Sequence, residues 1–157
     1  MNSPHIIQPI GIIHSPYKTK ESCPIQGCAN PDGKGQIEVF PEYEEGLLDI
    51  EMFSHLILLY HFDRVEEITL VRYPFMDDTP HGIFAMRHPF RPNKIGFSIV
   101  KFEGRAKNII DVSRIDILDG SPLVDIKPYA PKFDQIDNAS DGWLDGKKLR
   151  PKPEGRE

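Results

Sequence analysis

The sequence predicts a mainly β chain, a small antiparallel barrel carrying one or two short helices. Fifteen prolines and twelve glycines are scattered through the 157 residues, so the chain is cut into short pieces. Those pieces are rich in β-branched and aromatic residues and separated by turn chemistry, the pattern of a barrel. Long amphipathic helical periodicity is scarce, and no internal repeat is visible.

Taken in order, Ile6 to His14 (IIQPIGIIH) reads as a strand with Pro9 at an edge or bulge. Lys18 to Lys34 reads as a long loop, with turn residues at Asn30-Pro31-Asp32-Gly33. Gly35 to Phe40 is a short alternating strand. Pro41 to Phe53 is the best helix candidate. Proline suits a first helical position and the early acids suit the dipole, although Gly46 weakens the pattern. His55 to Phe62 (HLILLYHF) is apolar nearly throughout and predicts a strand buried on both faces. Ile68 to Tyr73, Ile83 to Met86, Ile95 to Phe102, Ala106 to Ile117 and Leu123 to Ile126 are further strand-like runs. The expected organisation is a barrel domain over residues 1–133 and a polar, partly flexible tail over 134–157. In that tail Trp143 is the natural anchor to the body.

The length fits one domain with a real core. No run of 18 apolar residues occurs, so no membrane-spanning segment is expected, and the N-terminus lacks the features of a signal peptide. These points predict a cytoplasmic protein. Cys23 and Cys28 are too few for a disulfide framework. Two free thiols are the simplest reading, with a local disulfide or a redox role as alternatives. The six histidines show no helical ligand pair, so no metal is expected.

The net charge of −5 argues weakly against a general nucleic-acid binder, but the charges are segregated. Acids crowd Glu38 to Glu51. Arg87 to Lys107 carries Arg87, Arg91, Lys94, Lys101, Arg105 and Lys107 against Glu103 alone, and Lys147, Lys148, Arg150 and Lys152 form a second basic cluster. An acidic chain with one basic face can still meet a polyanion.

Two segments carry chemistry. Gly82 to Gly96 (GIFAMRHPFRPNKIG) sets two arginines in proline-stiffened backbone, which suits planar recognition of a carboxylate or phosphate. Asp116 to Tyr129 (DILDGSPLVDIKPY) places three carboxylates, a glycine turn, a hydroxyl and a lysine within fourteen residues. The common nucleotide-binding signatures are missing: Gly33-Lys-Gly35 lacks a third glycine and precedes a strand.

With IGIIHSPYK (Ile10 to Lys18) and FSHL (Phe53 to Leu56), these segments resemble the TsaA/YaeB family. These are the TrmO-type methyltransferases, which modify threonylcarbamoyladenosine in tRNA. FAMRHPFRPNKIG is similar to the family's FATRxxFRPNPIG, and DILDGSPLVDIKPY to its DxxDGTPxxDIKPY. The resemblance implies a barrel unlike the Rossmann-type methyltransferases, S-adenosylmethionine as cofactor, and a homodimer with sites near the subunit interface. It places cofactor contacts on Ile25, Gln26, Gly27, Asp63, Arg64, Arg87, Ile95, Gly96 and the run Asp116, Ile117, Leu118, Asp119, Gly120. Met86 and Ser121 stand where the family usually has Thr, and Lys94 where it has Pro. A short basic tail follows where better-known members carry an extension.

Arg87 suits a carboxylate, and Asp116 or Asp119 an ammonium or a ribose diol. Candidate bases for the methyl acceptor are Asp125, Tyr129 and Asp63. Arg91, Lys94 and Lys101, with the basic tail, are candidates to guide tRNA phosphates. Two alternatives stay open: a methyltransferase acting on another RNA base, a small molecule or a protein, and a non-catalytic barrel that binds RNA or a nucleoside.

Overall fold

The computed structural model describes residues 2–153. Among the described residues eight strands are formed: β1 Gly11–His14, β2 Gly35–Val39, β3 His55–His61, β4 Val71–Arg72, β5 His81–Gly82, β6 Ile95–Ala106, β7 Ile109–Ser113 and β8 Ser121–Pro128. Six of them close an antiparallel barrel in the order β1-β2-β7-β6-β3-β8, and β4 and β5 form a separate two-stranded ribbon. The barrel follows from alternation. Leu56, Leu58 and Tyr60 of β3 are buried while their neighbours are half-buried or exposed, so one face turns inward and the strand is not buried on both faces as its apolar run suggested. The register puts Ile13 opposite Ile37, and Ile37 opposite Ile110, so inward β-branched residues meet across three strands. Leu56, Leu58, Val100, Val112, Ile115, Ile117 and Leu123 complete one continuous core.

The mainly β expectation holds, and several boundaries move. β1 begins at Gly11, leaving residues 2–9 exposed and outside any strand. The proposed helix Pro41 to Phe53 is not an α-helix. It consists of 3₁₀ turns at Pro41–Leu47 and Ile50–Met52, separated by Leu48 in extended backbone and Asp49 at φ +68°. Tyr43 N–H bonds the Phe40 carbonyl and Leu48 N–H the Glu45 carbonyl, the i to i+3 pattern of a tighter coil. Ile68 to Tyr73 contributes only the short β4.

Ile83 to Met86 is not a strand but a 3₁₀ turn at Ile83–Ala85. The Arg91 guanidinium bonds the carbonyls of Ile83 (3.3 Å) and Met86 (2.8 Å) and so closes that turn. Ala106 to Ile117 is not one strand either. β6 runs on to Ala106, turns at Lys107-Asn108, and returns as β7, which ends where Arg114 takes φ +61°.

The segment expected as a flexible tail makes specific contacts. Trp143 stacks on His81 (4.6 Å between rings, 14° between planes) and donates its indole N–H to the Ala85 carbonyl at 2.7 Å, the anchoring role anticipated for it. Lys147 pairs with Asp77, Arg150 with Asp78, and Lys152 lies over the Phe75 ring. These three cations of the basic cluster are therefore engaged within the chain.

Candidate functional site

The loop at Gln26-Gly27, the arginine segment and the stretch after β7 meet at one pocket of about 210 Å³, lined by Gln26, Gly27, Cys28, Arg87, Ile99, Arg114 and Asp116. Asp116 organises it. One carboxylate oxygen accepts from the Gly27 N–H at 2.9 Å, the other from the Ser98 hydroxyl at 2.5 Å. Burial raises the Asp116 pKa above its ordinary value, and the two donors and the nearby Arg87 pull it back. The group is thus held as an oriented acid at the pocket wall.

Gly27 is the residue this contact demands. A Cβ there would stand 2.1 Å from the Arg114 carbonyl oxygen, so only glycine lets the loop approach closely enough to bond Asp116. Gly96 plays the matching part under β6, where a Cβ would stand 2.3 Å from the Tyr60 ring. The Tyr60 hydroxyl meets Ser98 Oγ at 3.1 Å, so Tyr60, Ser98 and Asp116 form one buried polar chain. Burial holds the Tyr60 hydroxyl well above its ordinary pKa, and burial beside Asp116 pushes the Cys23 thiol up to about 11.

Arg87 is exposed, lies 5.2 Å over the Phe97 ring, and donates to Gln26 Oε1 at 3.3 Å. No carboxylate among the described residues pairs with it, so its fork is available to a ligand. Arg64 donates to Asp63 (3.2 Å) and to Ser121 Oγ (3.3 Å) and lies close enough to Cys23 to act on its thiol.

Of the residues expected to hold a cofactor, Gln26, Gly27, Arg87 and Asp116 come together. Ile25 gives its carbonyl to the Gln26 amide, and Gly96 supports Tyr60 from below, next to Ile95 at the start of β6. Ile117 is core, and its carbonyl accepts from Ser15 Oγ at 2.6 Å. The Leu118 carbonyl accepts from Ser121. Asp119 is not at the pocket wall. It accepts from the Ser15 N–H (2.9 Å) and Lys18 Nζ (2.5 Å), and Gly120 N–H bonds the Ile13 carbonyl, so this turn locks the end of β1. The Lys18 ammonium, with the Ser15 amide, holds the Asp119 carboxyl below its ordinary pKa.

Of the candidate bases, Asp125 lines a separate groove with Ile10, Tyr43 and Leu47 that shares no residue with this pocket, and it pairs with Lys127 at 2.8 Å. Tyr129 packs edge-on against His55. Asp63 pairs with Arg64. Among the proposed RNA contacts, Arg91 is held by two carbonyls inside its loop, Lys94 donates to the Glu66 carbonyl, and Lys101 faces Glu103 at 3.7 Å. Arg114 was missed by sequence reasoning. Its one available signal was a cation two residues before the aspartate motif. No group of three histidine, cysteine or acidic side chains suited to a metal occurs among the described residues.

Comparison with known proteins shows the family of the chain. Residues 12–135 match the tRNA-methyltransferase O N-terminal domain. The chain belongs to the TrmO family. A probable S-adenosyl-L-methionine-binding protein of Pyrococcus abyssi is 53% identical, the match covering 88% of this chain and 75% of that one. The tRNA (adenine(37)-N6)-methyltransferase of Escherichia coli is 35% identical over 83% of this chain and 60% of that enzyme. The crystal structure of TrmO from Pseudomonas aeruginosa superposes with a TM-score of 0.80 at 35% identity, over 94% of this chain and 66% of that one. The chain therefore spans somewhat less than two thirds of the length of these two TrmO-type relatives. The closed barrel with few helices is the TrmO fold.

Proposed function

We propose that this TrmO-family chain binds S-adenosylmethionine in the Gln26–Arg87–Asp116 pocket. We further propose that it transfers the methyl group to the exocyclic nitrogen of a modified adenine in tRNA. The observation that carries the reading is the pairing, across one small pocket, of an oriented aspartate and an exposed arginine fork that has no carboxylate partner among the described residues. The donor set fits the cofactor. Arg87 suits its carboxylate, Asp116 its ammonium or ribose diol, and the Gln26-Gly27 backbone its base edge. The names of the relatives, S-adenosyl-L-methionine-binding protein and tRNA (adenine(37)-N6)-methyltransferase, support the same assignment.

When bound, the cofactor supplies an activated methyl group on a good leaving sulfur. The chain's own residues then have to align it with the acceptor nitrogen, which is the main demand of an in-line displacement. Asp116 is the one carboxylate among the pocket-lining residues, and both its oxygens already hold donors. Positioning rather than a dedicated base therefore supplies most of the rate within one chain.

The pocket, at about 210 Å³, is smaller than the roughly 300–1,000 Å³ typical of ligand sites. Beside it the outward residues of β3 and β6 pair as Ile57 with Ile99 and Leu59 with Phe97, an apolar stripe on the barrel exterior. A homodimer formed across this stripe would enclose the cofactor. Action on tRNA implies a cytoplasmic protein, and no helix among the described residues is long and apolar enough to cross a membrane.

A second reading, the same transfer to a different acceptor, is favoured by one observation. Arg91, Lys94, Lys147 and Arg150 are all engaged within the chain, which thins the basic face expected for RNA.

Calorimetry with S-adenosylmethionine tests the pocket. Wild-type protein should bind it, and Arg87→Ala should weaken binding about 10- to 100-fold, the usual worth of a charged hydrogen-bonded contact. No binding at millimolar cofactor would overturn the reading. Mass spectrometry of tRNA nucleosides after incubation with labelled cofactor separates the two acceptors.

A further inference from the structure

Two arginines, not one, line the proposed cofactor pocket. S-adenosylmethionine has a single carboxylate, and its ammonium and sulfonium leave it net positive. Arg87 is enough for that carboxylate, and a second guanidinium facing a net cation would be repelled by it. The pocket's one acid, Asp116, is engaged with Gly27 and Ser98 rather than with Arg114. Arg114 makes no hydrogen bond or ion pair among the described residues, and its Nε is buried without a partner. Buried donors left unpaired are rare in folded proteins and ask for an explanation.

The backbone adds a second oddity. Arg114 takes φ +61°, a left-handed conformation that a non-glycine residue seldom adopts and that clusters at functional sites. The turn brings the Arg114 carbonyl against Gly27 and leaves Arg114 in the pocket wall beside Asp116. Desolvation lowers the His55 pKa, and the charges of Arg114 and Lys101 add to that shift. Lys101 has Glu103 for a partner, and His55 Nδ1 faces the Ser54 hydroxyl. Arg114 is thus the cation of the pocket wall left without a partner.

We propose that Arg114 is a specificity-determining residue that takes an oxyanion of the methyl acceptor, placing the target nitrogen against the methyl group. This rests on the reading of the pocket given above. The chemistry recognised is a singly or doubly charged oxygen group read by a planar fork. In an RNA acceptor it comes from the phosphate next to the target nucleotide or from a carboxylate carried on the modified base.

The test uses Arg114→Gly, which suits the left-handed backbone and so removes the side chain without straining the fold, and Arg114→Lys, which keeps the charge but loses the fork. Cofactor affinity is measured by calorimetry. RNA affinity is measured by fluorescence anisotropy on two anticodon stem-loops, one with adenosine and one with the carboxylate-bearing modified adenosine at the target position. Arg114→Gly should bind S-adenosylmethionine within twofold of wild type and bind the modified stem-loop at least tenfold more weakly, with Arg114→Lys restoring part of the loss. A loss on both RNAs, with the salt slope reduced by about one contact, assigns a backbone phosphate. A loss on the modified RNA alone assigns the base carboxylate. Wild-type affinity of Arg114→Gly for both RNAs would overturn the proposal. So would a fall in cofactor affinity as large as that of Arg87→Ala. Failure of the wild-type protein to bind S-adenosylmethionine would instead refute the pocket assignment, and the RNA measurements would still judge Arg114.

Discussion

Replacing Gly96 by alanine should damage the fold and the pocket together. The new Cβ would stand 2.3, 2.4 and 2.8 Å from three carbons of the Tyr60 ring. Carbon–carbon contacts are comfortable at about 3.5–4.0 Å, so the ring must retreat by about 1 Å or more. Tyr60 has little room to do so. It is 5% exposed, meets Phe62 edge-on at 5.3 Å, and its hydroxyl is tied to Ser98. Overpacking of a tight core costs about 1–3 kcal/mol, and losing the Tyr60–Ser98 bond about 1 kcal/mol more. A total near 2–4 kcal/mol converts, at about 2–4 °C per kcal/mol for a chain of this size, to a melting-temperature drop of about 5–15 °C. Scanning calorimetry of the two proteins measures it. Because Ser98 also donates to Asp116, the same variant should bind S-adenosylmethionine more weakly at temperatures where it is still folded. A drop below about 2 °C would show that β6 can shift away from Tyr60, and the reasoning from close packing would fail.

Three further outcomes follow from single contacts. Asp119→Asn should lower the urea midpoint at neutral pH. The Lys18 ammonium and Ser15 amide depress the wild-type carboxyl, so its stabilisation is complete above the ordinary value of 3.8 and fades as pH falls below it. The gap between the two proteins should therefore close in acid, and a gap independent of pH would refute the ion pair. Trp143→Ala removes the indole bond to Ala85 and the stack on His81, so trypsin should cut the 147–150 region at least several-fold faster than in wild type. Equal rates would mean the tail is not anchored there. Of the two thiols, exposed Cys28 should react quickly with a disulfide reagent at pH 8. Cys23, pushed up to about 11 by burial and by Asp116, should react only slowly until the chain unfolds. Equal reaction rates would contradict that environment.

The sequence made the barrel legible because its strands alternate. Gly35 to Phe40 alternates outright and the run Ile109, Ile110 and Val112 is β-branched, whereas His55 to Phe62 is so apolar that it hid which face is inner, and only Leu56, Leu58 and Tyr60 are buried. It hid the 3₁₀ segments, because Pro41 and the acids after it satisfy the start signals of an α-helix just as well. What cuts that helix short is Leu48 and Asp49 turning out of helical backbone, which no propensity at those positions announces. Ile83 to Met86 misled for a related reason. Its apolar residues suit a strand, but the Arg91 guanidinium, eight residues from Ile83, supplies the carbonyl bonds that a sheet would otherwise have made.

The site divides along the same line. Residue type told which groups could serve an ionic ligand, so Arg87, Arg91, Asp116 and Asp119 all stood as candidates, and only the family resemblance favoured Arg87. Type did not tell which of several equivalent groups was already engaged. Asp116 and Asp119 stand three residues apart in one motif and are chemically identical. The extended segment leaving β7 carries the first over the Gly27 loop. The turn after it carries the second back to Ser15 and Lys18. Arg87 and Arg91 divide the same way four residues apart, one fork open to a ligand and the other closing its own loop. In each pair one member closes a local turn away from the pocket and its twin lines the pocket wall. Exchanging the charge of Asp119 or Arg91 should therefore weaken cofactor binding without touching any cofactor atom.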